Sequence, residues 1–450
     1  MKSLVSVKKI NKYETLLFLL VFITFVPFRE IISWGSDYAG YILQAKAMIS
    51  FDSYEFIRNQ TYLAGLSDNP KYPIYTPLGM PLLIGVTSIL HNFDPFYVRY
   101  LIPISVFLTA VLIFRKTKQH SLFLAILFLL NPTITNQYKD AVFTEPLAIL
   151  FFLYGSIAKD TKIKTLLFIF SVLIRPTFIL LVICDIFFSY RKNLSSKYIV
   201  LFFSLIIVNF FTKLFFNMNF YGLYRQSDSE IDGLSIVNIL IENAHKYLTL
   251  ERIVLYLEEL GFLISGFSHP LNLFLGIIII TLLLLIKDKY SIMILIFTSF
   301  HIIWETTSFN RYFIPVVPLL YLAFDNGFES LNILKKINKK LVLFLLITTS
   351  LLYSFLFYNL ESKKELQAGP QQTESQELIN YINNLDSDEL FSFHSPRTLR
   401  LFTNKDVYWL DGELHEGTVI ICYKKDIDCI VPENYEQSFS NSLYKVHMPK

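Results

Sequence analysis

Long apolar runs separated by short basic clusters are the feature that most constrains this chain. Hydrophobic residues make up 53% of the 450 residues, and the mean hydropathy is +0.45. A soluble domain has no interior large enough to bury that fraction. The sequence therefore predicts an α-helical polytopic membrane protein, and its net charge of +3 gives no reason to expect a nucleic-acid partner. After the first run, the apolar runs cover about 94–114, 120–131, 142–158, 165–190, 198–216, 270–287, 290–304, 311–325 and 340–358.

The first apolar run, residues 14–34, follows four lysines. About 20 apolar residues are enough to cross the roughly 30 Å of a bilayer core. The residues that follow, Gly35, Ser36 and Asp37, do not form a small-x-small cleavage motif. We therefore expect a retained first span with its N-terminus in the cytoplasm, rather than a signal peptide.

The basic clusters predict the topology. Cytoplasmic loops carry an excess of Lys and Arg, and placing every basic cluster inside gives about eleven spans, with a cytoplasmic N-terminus and an external C-terminus. The run 165–190 has basic flanks at both ends, so we expect a hairpin that turns at Arg175-Pro176, where proline breaks the helix. The predicted membrane domain is 1–358, with a juxtamembrane or re-entrant helix on the outer side over 76–92. The predicted external segments are 35–93, 131–141, 217–269 and a tail over 359–450.

The tail has the pattern of a small α/β domain. "TESQELINYINNL" predicts an amphipathic helix with Thr373 as its N-cap and Gln376 completing a capping box. Three short β-patterns follow, "ELFSFHS", "DVYWL" and "TVIICY", with a short helix, "SPRTLRLFT", between the first two. The spacing of Cys422 and Cys429 suits either a disulfide or two buried free thiols, and no Cys/His spacing typical of a metal site occurs.

This topology gathers acids and bases on one outer face. Charges at membrane depth are costly and usually mark a site or a substrate path. Single members have structural alternatives: Asp37 as a helix N-cap, Glu145 at a helix start before Pro146, Arg311 as an interface anchor and Lys71 as a solvated loop residue. Taken together, these acidic and basic residues on one predicted face favour a functional interpretation. Its members are Asp37, Lys71, Asp140, Glu145, Arg175, Glu305 and Arg311, with Tyr72 and Tyr75 nearby in sequence.

Four segments resemble, in order, blocks of the GT-C glycosyltransferases, polytopic enzymes that use polyprenyl-phosphate sugars. "SDYAGYILQAKAM" is similar to the family's first external loop, and "KYPIYTPLGMPLLIG" to its "YP-x-GYPLLL" block. "NPTITNQYKDAVFTEPLAILFFL" is similar to the second external loop, and "NRYFIPVVPLLYLAF" to a late "RY-x-x-P-x-x-P" block. The likeness is greatest to the bacterial branch related to protein mannosyltransferases and the lipid A aminoarabinose transferase.

The resemblance implies roles for the gathered residues. Asp37 would be the general base that takes the proton of the acceptor hydroxyl. Lys71, Arg175 and Arg311 would bind the donor phosphate, and Tyr72, Tyr75, Asp140, Glu145 and Glu305 would bind or orient substrate. Many family members carry two adjacent acids in the first loop, whereas Tyr38 follows Asp37 here. Because a lone carboxylate binds Mg²⁺ or Mn²⁺ poorly, we assign no metal ligand and no certain cofactor, and a divalent metal stays an open alternative.

The resemblance thus implies a plasma-membrane enzyme, in a bacterial cytoplasmic membrane. It would transfer a sugar from a polyprenyl-phosphate donor to an external glycan, lipid or protein acceptor. One alternative is a transporter or flippase of lipid-linked sugars, although the chain shows no internal repeat of the kind that many transporters carry. Another is a glycan polymerase or ligase, which usually has a long external loop between late spans, where this chain has short ones.

Overall fold

The computed structural model of the chain is mainly helical. It describes residues 12–25, 38–50, 78–117, 121–131, 133–134, 144–189, 248–265, 270–302, 310–330, 369–370, 372–387, 389–392, 396–403, 405–409, 418–424, 429 and 431–450. Its membrane-domain helices are α1 (Lys12–Phe25), α2 (Tyr38–Ile49), α3 (Gly79–Val86), α4 (Ser88–His91), α5 (Pro95–Val98), α6 (Leu101–Lys116), α7 (Ser121–Leu129), α8 (Glu145–Ile157), α9 (Thr161–Ile174), α10 (Ile179–Ser189), α11 (Leu250–Ser265), α12 (Leu271–Ile286), α13 (Lys289–Ile302), α14 (Asn310–Phe313) and α15 (Val317–Ser330). Within these ranges, no helix combines the length and the apolar character of a complete membrane span.

The hairpin predicted around Arg175 is present. Helix α9 ends at Ile174, a short 3-10 turn covers Pro176–Phe178, and α10 begins at Ile179. Near the far ends of the two helices, Lys164 Nζ of α9 lies 3.2 Å from Asp185 Oδ2 of α10. The chain therefore reverses its direction between the two helices. Asp160 caps the start of α9, because its carboxylate accepts the backbone N–H groups of Lys162 and Ile163.

The predicted helix over 76–92 is interrupted. Helices α3 and α4 are separated at Thr87, whose hydroxyl donates to the Leu83 carbonyl oxygen at 2.8 Å. Such back-bonding from Thr bends a helix. Residues 250–265, inside the predicted external segment 217–269, form helix α11.

The tail folds into a mixed five-stranded sheet with two helices, α16 (Thr373–Asn383) and α17 (Pro396–Thr403). The sheet order is β2-β1-β3-β5-β4, where β1 pairs in parallel with β2 and β3, and β5 pairs antiparallel with β3 and β4. The three predicted strands and the helix between the first two are confirmed. The strands are β1 (Glu389–Ser392), β2 (Asp406–Trp409), β3 (Val419–Tyr423), β4 (Tyr435–Ser440) and β5 (Tyr444–Pro449).

The predicted capping box of α16 is wrong. Thr373 is the first helical residue, Gln372 occupies the N-cap, and no side chain caps the helix. The Gln376 amide instead donates to the Pro370 carbonyl oxygen at 2.5 Å. Because Thr373 is already part of the helix, it does not occupy the N-cap position that a capping box requires. Cys422 and Cys429, which the sequence left open, are joined by a disulfide with their Cα atoms 5.8 Å apart.

One large apolar core joins the described membrane helices, and a second fills the tail between its helices and its sheet. Helix α17 connects the two. Its Leu401 belongs to the membrane-domain core, and its Phe402 packs against both cores. The tail is therefore packed onto the bundle through this helix.

Helices α11 and α12 pack in backbone contact through two glycines. A Cβ added to Gly276 would lie 1.9 Å from the Leu257 carbonyl oxygen, and one added to Gly261 would lie 2.0 Å from the Asn272 carbonyl oxygen. Membrane helices use small residues in this way to let backbones approach closely.

We expect Gly276→Ala to separate these helices and to lower the free energy of unfolding by about 1–3 kcal/mol, the usual cost of overpacking. Thermal unfolding in detergent measures the change. Gly85→Ala is the matched control, because its Cβ would meet the Ile49 side chain at 3.4 Å and the Ala45 carbonyl oxygen at 3.8 Å, both ordinary contacts. Equal melting temperatures for the two variants would contradict the close packing of α11 and α12.

Candidate active site at one end of the helical bundle

Helix α8 runs between two buried clusters of charged and polar groups. Glu145 begins the helix, Ser156 lies near its end, and each makes polar contacts with other helices. Eleven residues of α-helix rise about 17 Å, so the clusters lie on opposite ends of an apolar layer.

The first cluster is built on Arg175. Its Nη2 lies 3.2 Å from Glu145 Oε1, and both side chains are largely buried, at 13% and 1% exposed. Its Nη1 lies 3.5 Å from Thr144 Oγ1. The guanidinium also stacks on the Tyr312 ring, with Cζ 4.8 Å from the ring centroid. A cation held by a carboxylate and an aromatic face has little freedom to change its orientation.

Local sequence places both members of this ion pair. Pro146 suits the first turn of α8, where its missing N–H group costs nothing, and so fixes Glu145 at the helix start. Arg175 leaves the helical conformation, with φ −143° and ψ 100°, because the residue before a proline avoids it. Both charged side chains thus lie at helix termini, where the apolar layer ends.

Sequence reasoning missed His301 and the contact made by Tyr312. His301 is 1% exposed, its Nδ1 lies 2.7 Å from the Phe297 carbonyl oxygen, and its ring lies 5.5 Å from the Tyr312 ring. Nδ1 therefore carries the proton, and Nε2 presents a lone pair with no hydrogen-bond partner among the described residues. His301 has no distinguishing pattern in the sequence, since it ends an apolar helix.

Gly79 packs the start of α3, which follows the segment predicted to be external, against this end of the bundle. A Cβ on Gly79 would lie 2.5 Å from the Ile174 backbone nitrogen, one residue before Arg175. The segment that carries Lys71, Tyr72 and Tyr75 therefore leads into a helix start packed beside the ion pair.

The structure brings two of the predicted site residues together, Glu145 and Arg175. Arg311 lies in α14, directly before Tyr312, which contacts Arg175. Asp37 directly precedes α2, and α2 packs against α3. The predicted residues outside the described part of the chain are Asp37, Lys71, Tyr72, Tyr75, Asp140 and Glu305.

The second cluster lies at the other end of α8. Asp185, fully buried, accepts the Ser156 hydroxyl at 2.5 Å and pairs with Lys164 and Lys289. This cluster was not predicted from the sequence, because Asp185 lies inside the apolar stretch "LLVICDIFF" and its partners come from other helices. In the described residues, no three His, Cys, Asp or Glu side chains are grouped as a metal ion would need.

No protein-family model matches the sequence, and none of the curated proteins matches it in sequence. Solved structures do match the fold. ArnT from Cupriavidus metallidurans, a GT-C aminoarabinose transferase, superposes with a TM-score of 0.52 in the apo state and 0.57 bound to undecaprenyl phosphate. Each comparison covers 97% of both chains at 10% identity.

The chain has the GT-C fold. This is a polytopic membrane fold, so the fold predicted from the four sequence blocks is confirmed at that level. The Glu145–Arg175 pair is thus a buried feature of a GT-C helical bundle, placed at the end where Gly79 brings the start of α3 against the backbone before Arg175.

We expect Arg175→Met to lower the free energy of unfolding by about 3–5 kcal/mol, because it leaves the buried Glu145 carboxylate without its cation. The double variant Arg175→Met with Glu145→Gln should recover most of that loss. The double-mutant cycle compares the wild type, Arg175→Met, Glu145→Gln and the double variant by unfolding in mixed micelles, followed by circular dichroism. Losses that simply add would show that the two side chains are not energetically coupled.

Proposed function

We propose that this chain is a plasma-membrane glycosyltransferase that moves a sugar from a polyprenyl-phosphate donor to an acceptor outside the cytoplasm. The observation that carries the proposal is the buried Glu145–Arg175 ion pair stacked on Tyr312, at the bundle end where Gly79 anchors the first external segment. The GT-C fold supports it, as does the undecaprenyl phosphate bound by the similar ArnT structure.

Arg175 is the best-supported donor ligand of the proposed site. Its contacts with described residues engage Nη1 and Nη2, whereas a guanidinium has five N–H donors in a fixed fork. It therefore retains donors for a phosphate oxygen. Glu145 and Tyr312 hold it in place before the reaction, and such preorganised charge is most effective where the leaving phosphate develops negative charge.

The remaining assignments follow the resemblance. Asp37 takes the proton of the acceptor hydroxyl as that oxygen attacks the anomeric carbon and the bond to the lipid phosphate breaks. Lys71 and Arg311 join Arg175 around the phosphate, while Tyr72, Tyr75, Asp140 and Glu305 bind the sugar or orient the acceptor. Glu145 supports the site through Arg175.

Two observations support an external location for the tail. Disulfides form and persist in oxidising compartments, and Cys422 is bonded to Cys429. Lys164, Lys287 and Lys289 lie at the end of the bundle opposite Arg175, or border it, and cytoplasmic ends carry such a basic excess. We therefore place Arg175 on the external side.

To test the proposed function, purified protein in nanodiscs is incubated with radiolabelled polyprenyl-phosphate monosaccharides. We expect wild-type protein to remove label from one donor and Asp37→Asn to lose at least about 100-fold in rate, as expected for removal of a general base. Asp160→Asn is the matched control, because Asn also caps helices well. Normal turnover by Asp37→Asn would remove Asp37 as the base, and no turnover or binding with any donor would contradict the function.

The placement of the tail has its own test. A cysteine introduced at Lys450, in a variant with Cys184, Cys422 and Cys429 all replaced by Ser, should react in intact cells with a membrane-impermeant maleimide. Replacing Lys116 with Cys in the same background should give labelling only after the cells are lysed. Reaction of the Lys450 position only after lysis would place the tail in the cytoplasm.

A further inference from the structure

The buried side chain of His91 closes the turn between α4 and α5 with both of its ring nitrogens. Its Nδ1 accepts the backbone N–H of Phe93 at 3.0 Å, and its Nε2 lies 3.0 Å from Thr87 Oγ1. The Thr87 hydroxyl donates its own hydrogen to the Leu83 carbonyl oxygen at 2.8 Å, so it accepts from Nε2. The ring is therefore neutral, with its one proton on Nε2 and a lone pair on Nδ1.

The turn that His91 closes has a backbone conformation that needs such support. Asn92 and Phe93 follow one another with φ values of 44° and 60°, in the left-handed region that residues other than glycine rarely adopt. Asn tolerates this region, whereas a bulky residue such as Phe adopts it only where the surrounding contacts impose it. The Phe93 ring packs against the membrane-domain core, and its centre lies 6.0 Å from that of the His91 ring. The bond from the Phe93 N–H to Nδ1 thus holds a strained residue in place.

The turn also determines where α5 begins. The Asp94 N–H donates to the His91 carbonyl oxygen at 2.8 Å, and the Asp94 carbonyl oxygen accepts the N–H groups of Tyr97 and Val98. Val98 is fully buried in the membrane-domain core, and α5 packs on both α4 and α2. Opening of the turn would therefore shift α5 relative to α2.

We propose that His91 is an acid-sensitive latch, which holds the left-handed turn closed while its ring is neutral and opens it on protonation. A protonated imidazole carries a hydrogen on both nitrogens and has no lone pair to offer. Nδ1–H would then face the Phe93 N–H across 3.0 Å, so two donors would oppose each other where one hydrogen bond now exists. Protonation of histidine drives switches of this kind in other proteins.

The groups around His91 set the direction of the pH effect. Burial lowers the pKa of His91, whereas the Ile84 carbonyl oxygen and the Asp94 carboxylate act in the opposite direction and only partly offset it. Helix α3 carries no titratable side chain. The other titratable side chains on the elements packed here are Tyr97 of α5, Arg99 directly after it, and Tyr38, Tyr41 and Lys46 of α2. Because the closed turn binds the proton less readily than the open turn, the closed form loses stability as the pH falls below about 6.5.

Amide hydrogen exchange of the full-length protein in nanodiscs tests the latch without any donor or acceptor substrate. We expect the amides of residues 92–94 in the wild type to lose protection by about tenfold between about pH 7.5 and about pH 5, after correction for the intrinsic pH dependence of exchange. A tenfold change corresponds to a difference of about one unit between the pKa of His91 in the closed turn and in the open turn.

Two variants separate the charge of His91 from its hydrogen bonds. In His91→Asn, the amide oxygen replaces Nδ1 as an acceptor and does not titrate, so residues 92–94 should stay protected at both pH values. His91→Phe removes both bonds and should leave these amides exchanging rapidly at either pH. His447→Asn, in β5 of the tail, is the matched control and should keep the wild-type response.

The latch would be overturned by wild-type protection that does not change with pH, or by a His91→Asn variant that follows the wild-type response. If His91→Phe does not fold, the comparison of the wild type with His91→Asn still decides between these results. Because no turnover is measured, the outcome is independent of the proposed function.

Discussion

Two buried carboxylates set the register of the helical bundle. Glu145 and Asp185 lie at opposite ends of the apolar layer, and each meets its cations there. Helices α8, α9 and α13 each contribute a polar or charged group at or near both ends. Each of these helices is therefore fixed at two points, one at each end of the apolar layer. If any of these helices shifted by one turn along its axis, a charged side chain would be buried without its partner. The desolvation cost would be several kcal/mol for each ion. Hydrophobic packing alone tolerates such slips better, because apolar side chains have many acceptable neighbours.

The proposed chemistry depends on this rigidity. Functional groups carried on loops need a fixed scaffold beneath them. The bundle offers one at the Arg175 end, where the start of α8, the break between α9 and α10, the end of α13 and the start of α14 meet. His301 and Tyr312 pack their rings beside the guanidinium, and Gly79 lets α3 lie directly on the backbone before it. In sequence, the segments that carry Lys71 and Asp140 directly precede elements of this platform, and the one that carries Glu305 directly follows α13.

Local sequence patterns predicted local structure well. Basic flanks and Arg175-Pro176 located the hairpin, Pro146 located the start of α8, and alternating apolar residues located β1, β2 and β3. Partners distant in sequence were not predictable, because periodicity does not encode which helix faces which. In the sequence, Asp185 is an isolated acid within an apolar run. Only the structure shows that Lys164 and Lys289 pair with it. At Thr373, the local pattern predicted the N-cap one residue too late, because the helix already includes Thr373 and Gln372 occupies the N-cap. For the site, the sequence named Glu145 and Arg175 but not that they pair.

The packing of α17 on α2 has a consequence for biogenesis. The two helices are separated by about 350 residues, one near each end of the chain, and contacts of such long range form late because loop closure must come first. Helix α2 is therefore synthesised long before the helix that packs on it. Until then α2 can pack on α3, which follows it closely in sequence, but its contact with α17 cannot form. A chain arrested before α17 would leave that part of α2 uncovered, so the packed junction distinguishes a chain with a folded tail from one without it.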